Sequence, residues 1–247
     1  MSEPINIFEI NSKLDTDALA KQFAPNRRIQ VRDVLTQDAA VELRKVMSDL
    51  TPWGMAMQAG FGEEPQDITL EELRDPQGNT RAQALNKASH DAAARGDYAF
   101  RYARYPLVKA YQEKWAPGGP HEVLIEHINT EPFLDLVRRV TGFDDLIKAD
   151  GQATLFGRQH FLGLHSDEQV AEGWKIAYVL NLTIDDWKPD WGGYLVFYDE
   201  NGDVFEGFMP RFNTLNLFAV PQAHAVTFVP PFAPHGRFAI SGWFRDR

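Results

Sequence analysis

From Lys148 onward the chain falls into short, alternating apolar runs with turn signals about every eight to twelve residues, a texture that argues a β-sandwich or barrel. The runs are Ala153–Phe156, His160–His165, Trp174–Leu182, Gly193–Tyr198, Thr214–Ala219, His224–Val229 and Arg237–Arg245. Asp199-Glu200-Asn201-Gly202 has the Asn-Gly signal of a hairpin turn. No internal repeat or low-complexity tract interrupts this pattern.

The first half reads differently. A helix is expected around Thr16–Phe23, a strand over Arg28–Leu35, and a helix over Gln37–Leu50 with Thr36 as its N-cap and Asp38 in its first turn. Val41, Leu43, Val46 and Met47 give that helix an apolar stripe suited to packing on a sheet. Residues 51–98 read as a long surface insertion. Within it Met55–Gln58 suggests a strand, Thr69 with Glu72 a capping box, Asp75-Pro76-Gln77-Gly78 a turn, and Gln83–Ala94 a polar helix. Tyr98, Phe100, Tyr102 and Tyr105 alternate along a strand, as core rings in preference to a pocket wall. Helices follow at Leu107–Trp115, His121–Asn129 and Glu131–Val140, the last stopped by Thr141-Gly142.

The chemistry concentrates in Gly163-Leu164-His165-Ser166-Asp167, taken with His224 and Arg237. Two imidazoles and one carboxylate on one face suit divalent iron and leave positions open for O₂ and a co-substrate. On a strand, His165 and Asp167 would point to the same side, because side chains alternate with period two. A third ligand must then come from a distant strand, and His224 opens such a run. His160, five residues before His165, has the opposite parity, and His235 would share a strand with Arg237. His121 and His127 have no carboxylate at ligand spacing. His224 is therefore the preferred third ligand.

The ordered set His165-x-Asp167, Trp187, Gly192-Gly193-Tyr194-Leu195, Asn213–Phe218, His224-x-Val226 and Arg237–Phe244 resembles the iron(II)/2-oxoglutarate oxygenases of the prolyl 4-hydroxylase type, including the ribosomal-protein prolyl hydroxylase branch. The resemblance covers roughly Phe100 to the C-terminus and implies a double-stranded β-helix, a jelly-roll of the cupin kind, with N-terminal helices supporting one sheet. It implies His165, Asp167 and His224 as iron ligands and Arg237 as the partner of the distal carboxylate of 2-oxoglutarate, a geometry that suits a guanidinium. It also implies consumption of O₂, release of succinate and CO₂, ascorbate as a reductant, and Trp243 as part of the substrate pocket. Two positions depart from the family. Asn181 and Phe156 stand where relatives carry tyrosines that bind the co-substrate; Asn181 can still donate a hydrogen bond to it, and Phe156 cannot. The spacing from His224 to Arg237, thirteen residues, is slightly long, and Pro230–Pro234 accounts for it as an enlarged loop.

The 247 residues suit one oxygenase domain, with 1–97 as N-terminal helices, early strands and lid and 98–247 as the β-helix core and its buttressing helices. A second β-helix domain of the kind found in the ribosomal-protein branch has no room. A net charge of −10 argues against a nucleic-acid partner and favours a basic peptide. The absence of cysteine excludes thiolate chemistry and fits a reducing cytoplasm. Met1–Asp15 has no apolar h-region, and no run is long enough to span a membrane. The expected activity is hydroxylation of a C–H bond, of a prolyl residue in a protein or peptide first. A free amino acid or other small molecule, or a jelly-roll binding module that has lost turnover, are the alternatives.

Overall fold

The structure, a computed structural model, describes residues 6–167, 172–184 and 186–247; the first five residues of the amino terminus lie outside it. The described residues form thirteen strands and seven α-helices. One antiparallel sheet carries the fold. Its main path runs through β1 (Arg28–Arg32), β11 (Thr214–Ala219), β8 (Trp174–Asn181), β13 (Arg237–Arg245), β6 (Gln152–Phe156), β4 (Ala99–Tyr105), β7 (Phe161–His165), β12 (His224–Val226), β9 (Leu195–Tyr198) and β10 (Val204–Phe208). The ten strands curl into a nearly closed, barrel-like jelly-roll. Side chains close the remaining gap: Arg28 on β1 is ion-paired with Glu206 on β10, and its guanidinium lies between the rings of Phe197 and Phe205 at 4.8 and 4.3 Å.

Period-two alternation divides the sheet into a helix-covered face and a cavity-facing one. Ile176, Tyr178 and Leu180 of β8, Leu215 and Leu217 of β11 and Ile240 and Phe244 of β13 belong to the main core. That core is completed by α1 (Thr16–Phe23), α2 (Gln37–Lys45), α5 (Leu107–Gln112), α6 (Pro120–Ile128) and α7 (Glu131–Thr141). Five apolar side chains of α7, from Phe133 to Val140, are buried in it, each worth roughly 1.5–3 kcal/mol of transfer free energy. Gly142, left-handed at φ 73°, ends that helix where Thr141-Gly142 predicted. The opposite residues, Ala177 and Val179 on β8 and Arg237, Ser241 and Trp243 on β13, face a cavity of about 750 Å³.

The insertion is built into the sheet more fully than the sequence suggests. β2 (Gly54–Ala59) pairs with β4 along six residues, and β3 (Gln66–Ile68) pairs with β2. The Thr69–Glu72 capping box forms, at the start of α3 (Leu70–Arg74). Asp75-Pro76-Gln77-Gly78 is not a free turn. Asp75 caps the 19-residue helix α4 (Pro76–Ala94) by accepting from the amides of Gln77 and Gly78, and Pro76 sits in the first turn, where a missing N–H costs nothing. Thr36 starts α2 without a side-chain cap, and its hydroxyl donates to Glu9. The continuation expected to Leu50 is a π-helical turn, Val46–Leu50, whose end is tied by Thr51 Oγ1 to the Val46 carbonyl at 3.0 Å.

Candidate metal centre

β7 and β12 are hydrogen-bonded neighbours in which His165 lies opposite His224. Between that pair and Leu162↔Val226 the register shifts, with three residues on β7 against two on β12. This bulge changes the parity of β7, so that Leu162 and His165 both face the cavity while Leu164 is 48% exposed. Gly163 occupies the bulge because a Cβ there would stand 2.8 Å from the Ala99 carbonyl oxygen. Asp167 reaches the cluster differently from the way strand alternation predicts. It lies two residues past the end of β7 with φ 57°, and this left-handed turn brings its carboxylate back beside His165.

Each imidazole is oriented by a main-chain carbonyl. His165 Nδ1 is 2.9 Å from the Gly163 oxygen and His224 Nδ1 is 2.8 Å from the Gln222 oxygen. A carbonyl only accepts, so both Nδ1 atoms carry the proton and both Nε2 atoms present lone pairs when the rings are neutral. Those Nε2 atoms face Asp167, at 3.2 Å from Oδ1 for His165 and 3.4 Å from Oδ2 for His224. Burial works against charge on both His165 and Asp167, yet their proximity wins: the imidazole is held above its ordinary pKa and the carboxyl well below the usual carboxylate range. Three acceptors converging in a buried place require a proton or a cation between them. One atom from each of His165, Asp167 and His224 lies within 4.8 Å of the others, which could hold a metal ion. The other candidates lie elsewhere. His160 is buried against the Leu155 carbonyl, His121 bonds Thr51 Oγ1 at 2.9 Å, and His235 is exposed beside Trp191, in the loop before β13.

Arg237, the first residue of β13, is opposite Phe156 and 2% exposed. Its guanidinium carbon lies 5.3 Å from the centre of the Phe156 ring, and burial lowers its pKa to about 10. Nε donates to Asn181 Oδ1 at 3.3 Å, whereas buried Nη1 has no partner. Asn181 thus stands behind Arg237, its amide turned to Thr214 and Val179, and is not part of the cavity wall. Trp243 lines the cavity, and its Nε1 donates to Asp167 Oδ2 at 3.0 Å. Arg245 is engaged by Asp150 and Glu172.

The rings from Tyr98 to Tyr105 meet both expectations, since Phe100 and Tyr102 are buried in an apolar cluster with Phe156 that also borders the cavity. Tyr98, Phe100 and Tyr102 all line the cavity, and only Tyr105 joins the main core. The Tyr98 ring is 5.9 Å from His165, and its phenol is pushed above the ordinary range by burial, with Tyr102 and Asp167 adding to the effect. Tyr102 stacks on Phe156 at 4.9 Å. Alternation puts Tyr98, Phe100 and Tyr102 on one face, and Tyr105 on the other, without saying what each face meets.

Two imidazoles and one carboxylate in the jelly-roll cavity, with a buried arginine lining the same space, form a donor set that could hold a divalent cation. Residues 151–245, from β6 to β13, match the family model described as the 2OG-Fe(II) oxygenase superfamily. No curated protein sequence matches the chain. Among solved structures, a prolyl-4-hydroxylase from Pseudomonas putida is similar at 17% identity and TM-score 0.55, covering 94% of this chain and 99% of that one. A prolyl hydroxylase from Trichoplax adhaerens, solved with a hypoxia inducible factor oxygen degradation domain peptide fragment, is similar at 14% identity and TM-score 0.59, covering 94% and 89%. The non-heme alpha ketoglutarate dependent epimerase SnoN from nogalamycin biosynthesis is similar at 10% identity and TM-score 0.52, covering 94% and 82%. At these identities the likeness is one of fold.

Proposed function

We propose that this chain, acting as one domain, is an Fe(II)/2-oxoglutarate-dependent dioxygenase that hydroxylates a prolyl residue of a protein or peptide. The observation that carries the reading is the pairing of two unsatisfied features in one cavity: three convergent metal-binding acceptors, and a buried guanidinium with an unpartnered nitrogen. A divalent cation satisfies the first, and a carboxylate satisfies the second bidentately.

His165, Asp167 and His224 would hold the iron, and Arg237 the distal carboxylate of 2-oxoglutarate. Ferrous iron with the keto acid and O₂ supplies the oxidising power: one oxygen atom enters a substrate C–H bond while the keto acid leaves as succinate and CO₂. The protein's part is orientation and exclusion of water. Carbonyls of Gly163 and Gln222 fix the imidazoles, Asn181 fixes the Arg237 fork from behind, and Phe156 and Tyr102 keep the guanidinium's surroundings apolar. The matched family domain supports the oxygenase reading, and the fold shared with two prolyl hydroxylases is the support for a prolyl substrate. A free amino acid or other small molecule is the second reading, favoured by a cavity of about 750 Å³, a size typical of small-ligand sites. No helix among the described residues is long and apolar enough to cross a membrane.

The test is an intact-mass screen of proline-containing peptides, candidate proteins and free amino acids for a one-oxygen gain dependent on iron and 2-oxoglutarate. A gain on peptides, mapped to proline, is the expected result. A gain on free amino acids alone would replace the first reading with the second. Failure of the iron-loaded protein to turn 2-oxoglutarate into succinate with any of them would refute both.

A further inference from the structure

Asp167 needs something other than its strand to aim it. It lies beyond the last residue of β7 in a left-handed conformation, so no ladder pairing fixes its carboxylate. Trp243 Nε1 does contact it, donating to Oδ2 at 3.0 Å. An indole N–H is a donor only, on a rigid ring, so the bond has a fixed direction.

Trp243 is held by two contacts at its main chain and one on its ring. Trp243 pairs with Ala177 across β13 and β8, its main-chain N–H donates to Asp150 Oδ1 at 2.8 Å, and its indole stacks on Trp174 at 3.9 Å with 5° between the planes. Trp174 keeps this stack although its own Nε1 is buried without a hydrogen-bond partner. A buried donor left unsatisfied is a cost, and here it accompanies the face-to-face arrangement that immobilises Trp243.

We propose that Trp243 is a positioning residue that acts through Asp167: by engaging Oδ2 it aims the carboxylate before the metal ion arrives and leaves Oδ1 to the ion. The proposal rests on the metal-centre reading above. It departs from the role of substrate-pocket wall, because a wall residue governs substrate affinity whereas a residue holding a ligand carboxylate governs metal affinity. Hydrogen bonds to metal-ligating side chains act on affinity in this way.

The experiment titrates metal-free protein with Co(II) in competition with a chromophoric chelator, so the readout needs no turnover. The proteins are wild type, Trp243→Phe, Trp174→Phe, and a version in which the Trp243 indole is replaced by its benzothiophene analogue, with sulfur in place of N–H. The analogue keeps ring size and stacking, which separates the lost hydrogen bond from lost packing; circular dichroism confirms the fold of each. Trp243→Phe and the analogue should bind Co(II) about 10–100-fold more weakly than wild type, by the usual effect of losing such a contact. Trp174→Phe, which shrinks the ring stacked on the Trp243 indole and keeps the Trp243 N–H, should weaken Co(II) binding by less than either loss of that N–H. Wild-type Co(II) affinity in a folded benzothiophene protein would overturn the proposal. Absence of Co(II) binding by wild type would overturn the metal-centre reading, and this proposal with it, and is a distinct result.

Discussion

Replacing Arg237 tests co-substrate binding and fold stability at once, with opposite signs. The guanidinium is 2% exposed, has one long hydrogen bond to Asn181 and leaves Nη1 unpartnered. Burial disfavours the charged form and pulls its pKa down to about 10. At about 1.4 kcal/mol per pH unit, that displacement corresponds to about 3 kcal/mol of destabilisation. For a base depressed on folding the penalty is fully present below the folded pKa of about 10, and is relieved as pH rises through it. At neutral pH the ligand-free protein therefore carries all of it. Arg237→Met, which keeps a stem of similar reach without the charge, should unfold at higher denaturant than wild type when both lack 2-oxoglutarate. The same variant loses a buried carboxylate partner, a loss of roughly 2–5 kcal/mol. At tenfold per 1.4 kcal/mol this raises the 2-oxoglutarate requirement by about 30-fold or more. Arg237→Lys should recover only part of it, since lysine offers no planar fork. The assays are chemical denaturation and 2-oxoglutarate titration by succinate release. An unchanged titration in folded, iron-loaded Arg237→Met would refute the assignment, and a variant less stable than wild type would refute the account of the unpaired charge.

Alanine at His165, Asp167 or His224 should abolish succinate release and lower iron content, whereas His235→Ala, in an exposed loop, should retain both; measured iron per chain distinguishes them. His121, buried against Thr51 and the Tyr105 ring, has its pKa lowered by burial to about 4. Above pH 6.5 both states are neutral; between there and pH 4 only the unfolded chain takes up the proton, so stability should fall by up to about 3 kcal/mol, and His121→Asn should flatten that part of the denaturation-versus-pH curve. Gly192 has φ 63° and ψ −146°, a region that is nearly glycine-only, and a Cβ there would lie 2.1 Å from the Phe228 oxygen. Gly192→Ala should cost at least roughly 1–3 kcal/mol of unfolding free energy and displace the Trp187 N–H bond to the Gly192 carbonyl.

Legibility followed burial. β11 was readable because Leu215 and Leu217 alternate with Thr214 and Asn216, and the start of α3 because a capping box is local chemistry. β10 was missed although its hairpin turn was recognised: it ends the sheet, Val204 and Phe205 are more than half exposed, and no alternation marks an inside face. α4 began seven residues before its expected start because Asp-Pro reads equally as a turn and as an N-cap with proline in the first turn. At the site, residue types in order were enough to select His165, Asp167, His224 and Arg237. The geometry that unites them was not readable, since it depends on a bulge at Gly163 and a left-handed Asp167, neither of which has a period. Asn181 was read as facing the co-substrate; only the packing of Arg237 against it reveals that it braces the guanidinium.

The seam at Arg28 bears on how this chain avoids its own copies. β1 and β10 end the path of strands, and a terminal strand presents unpaired N–H and C=O groups on which another chain can build. Here the two borders are drawn together by a clasp of side chains: Arg28 with Glu206 and Gln222, two phenylalanine rings about the guanidinium, and Gln30 donating to the Met209 carbonyl at 3.0 Å. Such a clasp can be undone without breaking a single rung of the ladder. Removing Arg28 would free two adhesive borders without touching His165, Asp167 or His224, so Arg28→Ala should self-associate while its cavity residues stay in place.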